Sequence, residues 1–372
     1  MKNNDHVNSV PAFNAYLLFF IIPAIQIGVG AMGFQSTIYE KTGHDAWISV
    51  IIAGIAAQIS TWIVIRTLLR FPKKDLYDIH ELILGKWLGK IMNIVYLVYL
   101  FLIGFTILRN YIDVIQTWLF PEMKSWTLAF LLVLLILYGV MGGIRVIVGY
   151  CVLSCIFSIW LFFLIFYGLK YSTWDQLFPI MEAKVGNLLN GAFQMSFTVL
   201  GFEILYFILP FIKEQNRAQK YSQFGLIFTT VTYIGLMIAA IVYYSGPQLI
   251  HVTWATLNMY KIVELPFLER FEFLAVSYWV LVITPNCLLY LWAATRGIKK
   301  VFPFKQKYAV YFLCLVTIGL TPLFKTREQL TTFTEWVGQL GILLSFIYPF
   351  FLHLLVMLVQ RQGRKKKNEQ SA

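Results

Sequence analysis

Residues 12–34 read AFNAYLLFFIIPAIQIGVGAMGF, an apolar run without a charged side chain. About 20 apolar residues in a helix cross the hydrocarbon core of a bilayer. Further runs follow, and their apolar residues do not alternate with polar ones as in a membrane barrel. The runs lie at roughly 12–34, 45–68, 88–118, 126–144, 146–169, 189–211, 223–245, 273–295, 307–323 and 335–359. The pattern predicts an all-α membrane protein of about ten transmembrane helices.

The composition agrees with a protein that is solvated by a lipid bilayer. Hydrophobic residues make up 59% of the 372 residues, and charged residues only 13%, against about 25% in soluble domains. The formal net charge is +12, which in a soluble protein would suggest nucleic acid. Here the basic residues lie mostly in short loops between apolar runs, so we relate them to membrane topology and expect no nucleic-acid partner.

The distribution of Lys and Arg predicts the orientation. If the N-terminus is cytoplasmic, 21 of the 30 basic residues fall on the inner side and eight on the outer side. This bias predicts that both termini are cytoplasmic. We expect a cytoplasmic N-terminus at 1–11, a single transmembrane permease-like domain at 12–360 and a basic cytoplasmic tail at 361–372.

Ten spans divide naturally into five plus five. Because five is odd, the second half must be inserted upside down, which is the inverted-repeat arrangement of many secondary transporters. In such folds the binding site lies near mid-bilayer, where corresponding helices of the two halves are interrupted. We therefore expect broken helices 1 and 6.

Glycines mark the expected break in the first segment. Gly28, Gly30 and Gly33 follow Gln26 within eight residues and weaken a helix locally. Amides freed between Gly28 and Ala31 can face an anion such as a carboxylate. The alternative is that Gly28 and Gly30 only allow neighbouring helices to pack closely.

An acid marks the sixth segment, which reads MSFTVLGFEILY over 195–206. Glu203 has a long apolar run on both sides, and a carboxylate in a span is a functional-site hypothesis. It can neutralise a substrate ammonium, carry a proton or bond a backbone break. The alternative is a protonated structural residue bonded to a neighbouring helix.

Two further places carry polar residues inside apolar runs. Arg109 and Asp113 share a helix face, and their depth predicts a solvated pair at the outer headgroups rather than a deep relay. Asn286, which follows Pro285, either lines a cavity or accompanies a plain kink.

The sequence lacks the motifs of an enzyme. It contains no GxxxxGK[ST] phosphate loop, no HExxH and no GxSxG. The four cysteines have no His or carboxylate nearby in sequence that would complete a metal set. We therefore expect no catalysis, no cofactor and no metal.

Three fragments together resemble the B subunits of endospore germinant receptors. The first fragment joins IGVG at 27–30 to GHDAWISV at 43–50, and the second joins LGFEIL at 200–205 to LPF at 209–211. The third is LPFLERFE at 265–272, which leads into Trp279. One departure is Phe34-Gln35, where many relatives carry Leu-Pro. The family is similar to amino-acid permeases of the amino acid/polyamine superfamily.

The resemblance implies a spore inner-membrane subunit that binds a small nutrient germinant, typically an amino acid, and triggers germination. It would work with an A subunit and a lipoprotein C subunit, and helices 3 and 8 would contribute to its site. The implied ligand-binding residues are Gly28, Val29, Gly30, Thr198, Leu200, Gly201, Phe202 and Glu203. Glu269, Arg270 and Glu272 would form an outer gate or a partner contact, unless they are a solvated local ion pair.

Two other functions share the same fold. The chain can be a proton- or ion-coupled amino acid transporter, with Glu203 as the coupling residue, or a structural scaffold subunit with a vestigial site. A sodium site needs several oxygens, and Glu203 is the only acid near the candidate site. The sequence therefore favours sensing or proton coupling over sodium coupling.

Overall fold

Long helices make up most of the chain. The computed structural model describes residues 13–263 and 270–370. Its α-helices are α1 (Leu18–Gln26), α2 (Phe34–Thr42), α3 (Ala46–Leu68), α4 (Leu76–Trp118), α5 (Ser125–Met141), α6 (Gly143–Ile165), α7 (Val185–Thr198), α8 (Leu205–Ile208), α9 (Ala218–Tyr243), α10 (Gly246–His251), α11 (Ala255–Met259), α12 (Phe271–Tyr278), α13 (Val280–Val301), α14 (Gln306–Leu320), α15 (Arg327–Ile342) and α16 (Tyr348–Gln370). Short 3-10 helices connect several of them, and a π-helix, Leu343–Ile347, joins α15 to α16. No β-strand occurs between 13 and 263 or between 270 and 370.

Many of these helices are long and apolar enough to cross a membrane. Within the described ranges seven helical units qualify: Phe34–Leu68, Leu76–Trp118, Gly143–Tyr171, Gln215–Tyr243, Phe271–Val301, Gln306–Leu323 and Arg327–Arg361. An eighth is added if the bent pair Val185–Thr198 and Phe202–Phe211 forms one span. Two shorter apolar helices, Ala15–Gln26 and Ser125–Met141, match the first and fourth predicted segments. The chain is thus a helical integral membrane protein, as predicted, and the count of ten spans stays a prediction.

Helix α13 lies at the centre of the bundle. It packs against α1, α4, α5, α6 and α14, while α1 also packs against α9, and α3 packs against α7 and α9. Most of α13 between Val282 and Gly297 is buried. Peripheral helices instead expose large apolar side chains such as Tyr138, Phe312 and Leu315. Polar groups inside and apolar groups outside are the arrangement that a lipid solvent favours.

Two helical runs are interrupted inside the bundle. The first stops at Gln26, passes through a 3-10 turn at Val29–Met32 and resumes at Phe34. The second stops at Thr198 and resumes as a 3-10 turn at Phe202–Ile204, after a bend of 50°. The interruptions lie within the first and sixth predicted apolar segments, and that each segment is a broken transmembrane span stays a prediction.

Helix α4 begins at Leu76, and Gly85 at φ 80° sets its first part off from the apolar remainder, which corresponds to the predicted third segment from 88. One expectation about α4 needs correction. Arg109 is not solvated: its side chain is buried and its Nη2 donates to the carbonyl oxygen of Phe324, at 2.9 Å. The segment after α14 folds over this arginine. The position of Arg109 along its own helix does not reveal this contact.

The second interruption depends on glycine at 201. Its φ is +124°, a conformation that residues with a side chain rarely adopt, and a Cβ would lie 3.0 Å from Cγ2 of Ile25. We predict that Gly201→Ala lowers the free energy of unfolding by about 1–3 kcal/mol, measured by chemical or thermal denaturation in detergent. The matched control is Gly319→Ala in α14, where a Cβ meets nothing within 4 Å. Equal stability of the two variants would contradict the prediction.

Candidate functional site

Side chains from two other helices bind the carbonyl groups that the first interruption exposes. In a continuous helix these carbonyls would accept amide hydrogens one turn later. Nδ2 of Asn286 in α13 donates to the carbonyl oxygens of Ala24, at 2.8 Å, and Ile27, at 3.2 Å. The hydroxyl of Tyr233 in α9 donates to the carbonyl of Gln26, at 2.9 Å. The interruption is therefore part of the folded core. Asn286 does not merely follow a proline kink, because it binds the carbonyl groups of the interruption.

The amides of the same segment remain available. Among the described residues, the N–H groups of Gly28, Val29 and Gly30 donate to no protein acceptor, whereas the N–H of Ala31 donates to the carbonyl of Gly28, at 3.2 Å. The predicted range of freed amides is thus one residue too long. Three consecutive free donors at a helix break form a concave site suited to an anion.

The two interruptions are bonded to each other. Nε2 of Gln26 donates to the carbonyl oxygen of Val199, at 2.6 Å. The Oε1 atom of Gln26 is buried and accepts no hydrogen bond from the described residues. Because Gln26 is only 4% exposed, this oxygen is a buried acceptor on a residue that precedes the free amides by two positions in sequence.

Glu203 holds the second interruption in place. Its Oε2 accepts the N–H of Gly201, at 2.8 Å. Its Oε1 accepts the hydroxyls of Tyr99 in α4, at 2.8 Å, and Tyr290 in α13, at 3.0 Å. The carboxyl group is fully buried. Of the roles that the sequence allows, this geometry supports bonding of a backbone break.

A cavity of about 290 Å³ lies between the two interruptions. Five of the predicted ligand-binding residues line it, namely Gly28, Val29, Gly30, Thr198 and Leu200. The other three, Gly201, Phe202 and Glu203, lie behind its wall. Further lining comes from Gln26, Ile103, Thr106, Asn110, Phe197, Trp254, Asn286, Tyr290 and Thr334, among others. Among the residues that the structure describes, the lining contains no charged side chain, so a ligand here meets amides, hydroxyls and apolar groups.

The connection that carries α10 and α11 covers one end of the cavity. Thr253 and Trp254 line the cavity from this connection. A Cβ on Gly33 would collide with the carbonyl oxygen of Thr253, so glycine is required for this close approach. The guanidinium of Arg327 lies 4.2 Å from the ring centroid of Trp254 and packs over it. The sequence did not single out Thr253 or Trp254.

The residues predicted as a gate lie elsewhere. Glu269 falls outside the described residues. Nε of Arg270 donates to Oε1 of Glu272, at 3.0 Å, and neither residue lines the cavity. Arg270 is largely exposed. This geometry is a local ion pair, and a gate or partner role for it stays a prediction.

An ion pair closes the opposite end of the bundle. Oδ2 of Asp75, just before α4, accepts a hydrogen bond from Nη2 of Arg296 in α13, at 2.8 Å. Burial raises the pKa of the Asp75 carboxyl, as does the nearby Asp78, although Lys300 and Arg296 oppose that shift. The guanidinium of Arg296 also packs over Phe211. The end of the second interrupted run is thereby joined to α4 and α13.

Comparison with known proteins identifies the family to which this chain belongs. A family model described as spore germination protein matches residues 13–330. The chain belongs to the spore germination protein family. The spore germination protein GerQB of Bacillus cereus is 36% identical over 340 residues, which cover 91% of this chain and 94% of that protein.

Solved transporters share the fold of this spore germination protein. A Na⁺-coupled sialic acid symporter in its substrate-bound outward-open state superposes with a TM-score of 0.64 and 13% identity, covering 96% of this chain and 81% of the symporter. Mhp1, a nucleobase-cation-symport-1 family transporter in a closed conformation with bromovinylhydantoin bound, gives a TM-score of 0.63 and 14% identity, with coverage of 91% and 79%. At this level of identity the likeness concerns the fold alone.

The bonds of Glu203 can be tested in this spore germination protein by a double-mutant cycle. We predict that Glu203→Leu and Tyr99→Phe each lower the free energy of unfolding by about 1–3 kcal/mol, because each leaves a buried polar group without its partner. The double variant should lose less than the two single losses added together, since both remove the same bond. Tyr138→Phe, at a hydroxyl that is mostly exposed, should change little. Strict additivity in denaturation experiments would refute a direct bond.

Proposed function

We propose that this chain is the membrane subunit of a germinant receptor and that its cavity binds a small nutrient, in the first instance an amino acid. The observation that carries the proposal is the row of free amides at Gly28, Val29 and Gly30 on the cavity wall. Such amides complement a carboxylate. The buried Oε1 of Gln26 can accept a hydrogen bond from an ammonium group. A zwitterion therefore matches a lining that carries no net charge.

Cavity size limits the ligand. About 290 Å³ lies at the lower end of the roughly 300–1,000 Å³ typical of small-molecule pockets. Apolar side chains such as Ile103, Phe197 and Val337 can surround the body of the ligand. These features favour a small amino acid with an aliphatic side chain over a sugar or a nucleoside, which need more polar contacts.

We further propose the architecture that the sequence predicts, with ten spans in a five-plus-five inverted repeat and broken helices 1 and 6. Interruptions in the first and sixth apolar units support it. Both termini would face the cytoplasm, which in a spore is the side of the inner membrane that faces the core. The domain would cover 12–360, with the tail at 361–372. Partners would be the A and C subunits of the receptor.

Ligand recognition can be tested with a panel of compounds on the purified protein. We predict that one or more amino acids raise the melting temperature, and that the corresponding amines without a carboxylate do not. A ligand at a hundred times its dissociation constant adds about 2.7 kcal/mol. Gly30→Ala should weaken the shift, because its Cβ would lie 3.0 Å from Cγ2 of Thr198 and narrow the cavity. Gly319→Ala serves as the control. Equal shifts with amines would exclude carboxylate recognition by the amides.

A second candidate function is coupled transport of the same ligand, which the fold of the solved symporters favours. Uptake of labelled ligand into proteoliposomes separates the two functions. As a receptor subunit, the chain should be stabilised by ligand and give no saturable uptake above protein-free vesicles. Saturable uptake that is abolished in Gly30→Ala would instead identify a transporter. A folded protein that no compound stabilises would favour the scaffold function.

A further inference from the structure

A groove of about 320 Å³ runs between the start of the first helical run and α6. One side of α6 forms its long wall, because Arg145, Val148, Gly149 and Val152 follow each other at helical spacing. Leu17 and Lys213 lie on the opposite wall. The groove is separate from the ligand cavity and shares no lining residue with it.

Two cations lie in this groove without an acidic partner. Neither Arg145 nor Lys213 belongs to any of the ion pairs formed by the described residues. Both side chains are exposed. The nearest acid in sequence, Glu214, uses its Oε2 to accept the N–H of Ala15, at 3.1 Å. Among the described residues, therefore, neither of these two positive groups forms an ion pair with a carboxylate.

The remainder of the groove is apolar and open. Val148, Val152 and Leu17 supply aliphatic walls. A Cβ on Gly149 would meet nothing within 4 Å, so the absent side chain leaves the middle of the groove unfilled. Cations beside an unfilled aliphatic channel complement a molecule that has an anionic head and a hydrocarbon tail. That combination is typical of a phospholipid at the membrane surface.

We propose that this groove binds one anionic phospholipid, with its phosphate between Arg145 and Lys213 and one acyl chain lying over Gly149. Both cations fall on the side that the Lys and Arg distribution predicts to be cytoplasmic, where anionic lipids attract basic residues. This inference does not depend on the nutrient cavity. A lipid of the bilayer, rather than free phosphate, is the occupant because the apolar walls require a chain.

The position of the groove gives the lipid a structural consequence. The N–H of Lys213 donates to the carbonyl oxygen of Phe13, at 2.9 Å, and the N–H of Phe13 donates to that of Phe211, at 3.3 Å. This short backbone pairing joins the start of the first interrupted run to the end of the second. A lipid phosphate held by Lys213 and by Arg145 of α6 would fasten that junction to α6.

The test measures lipid binding to the purified full chain by native mass spectrometry and by thermal stability. We expect phosphatidylglycerol to bind and to raise the melting temperature, whereas phosphatidylcholine does neither. Arg145→Gln and Lys213→Gln should each weaken apparent binding roughly fivefold. Gly149→Leu should abolish retention of the lipid, because the side chain fills the groove. Lys307→Gln and Gly319→Leu are the matched controls, at another exposed cation and at another glycine with open space.

Three results would overturn the proposal. Equal retention of phosphatidylcholine would show that the cations recognise no headgroup. Full retention of phosphatidylglycerol by Gly149→Leu, or by the two charge variants, would place the lipid elsewhere. Stabilisation by glycerol phosphate equal to that by the lipid would show that the site takes a free anion. The charge variants alter exposed side chains, so they remain informative even if Gly149→Leu fails to fold.

Discussion

The requirement that every backbone group inside a bilayer find a partner governs this structure. Lipid offers no hydrogen bonds, so a helix that stops in the bundle leaves groups that only side chains can bind. Asn286 and Tyr233 take the carbonyls of the first interruption, and Glu203 takes the amide of Gly201 at the second. The carbonyl groups of the first interruption are bonded, whereas the N–H groups of Gly28, Val29 and Gly30 have no acceptor among the described residues. Free N–H groups at a helix break can bind an anion, and the proposed recognition of a carboxylate rests on this asymmetry.

The same bonds connect the cavity to the bundle around it. Tyr290 lines the cavity and also donates its hydroxyl to Glu203, which binds the amide of Gly201. A ligand that displaces Tyr290 therefore alters the bonding of the second interruption without touching Glu203. Glu203 also binds Tyr99 of α4, so the change reaches a helix that extends beyond the cavity. These hydrogen bonds form a continuous path from the cavity to α4. How strongly ligand binding is coupled to α4 along this path must be measured.

Sequence predicted the helical membrane fold, and five of the eight residues proposed for ligand binding lie in the cavity wall. Runs of apolar residues indicate segments that lie in lipid. Gly28, Gly30 and Gly201 indicate where the helix within such a segment is weak. For Glu203 the sequence left several roles open, and only the family resemblance placed it among the ligand-binding residues, because an isolated acid in a span does not reveal its hydrogen-bond partners. The partners Tyr99 and Tyr290 come from helices over 80 residues away in sequence. No local pattern encodes such cross-helix bonds.

Arg109 and the connection after α9 also depend on contacts with distant parts of the chain, which the local sequence does not reveal. Depth along a single helix places Arg109 near the headgroups, but burial depends on the chain that passes over it at Phe324. Likewise Trp254 covers the cavity only because Gly33 lets the Thr253 carbonyl come close. The same connection is also held by hydrogen bonds from Gln35 to Thr256 and from Tyr260 to the carbonyl oxygen of Leu161. In the proposed transport function both ends of the cavity would open in turn, whereas in the proposed receptor function only the outer end would need to admit the ligand. The Asp75–Arg296 ion pair lies at the end where the two proposals differ.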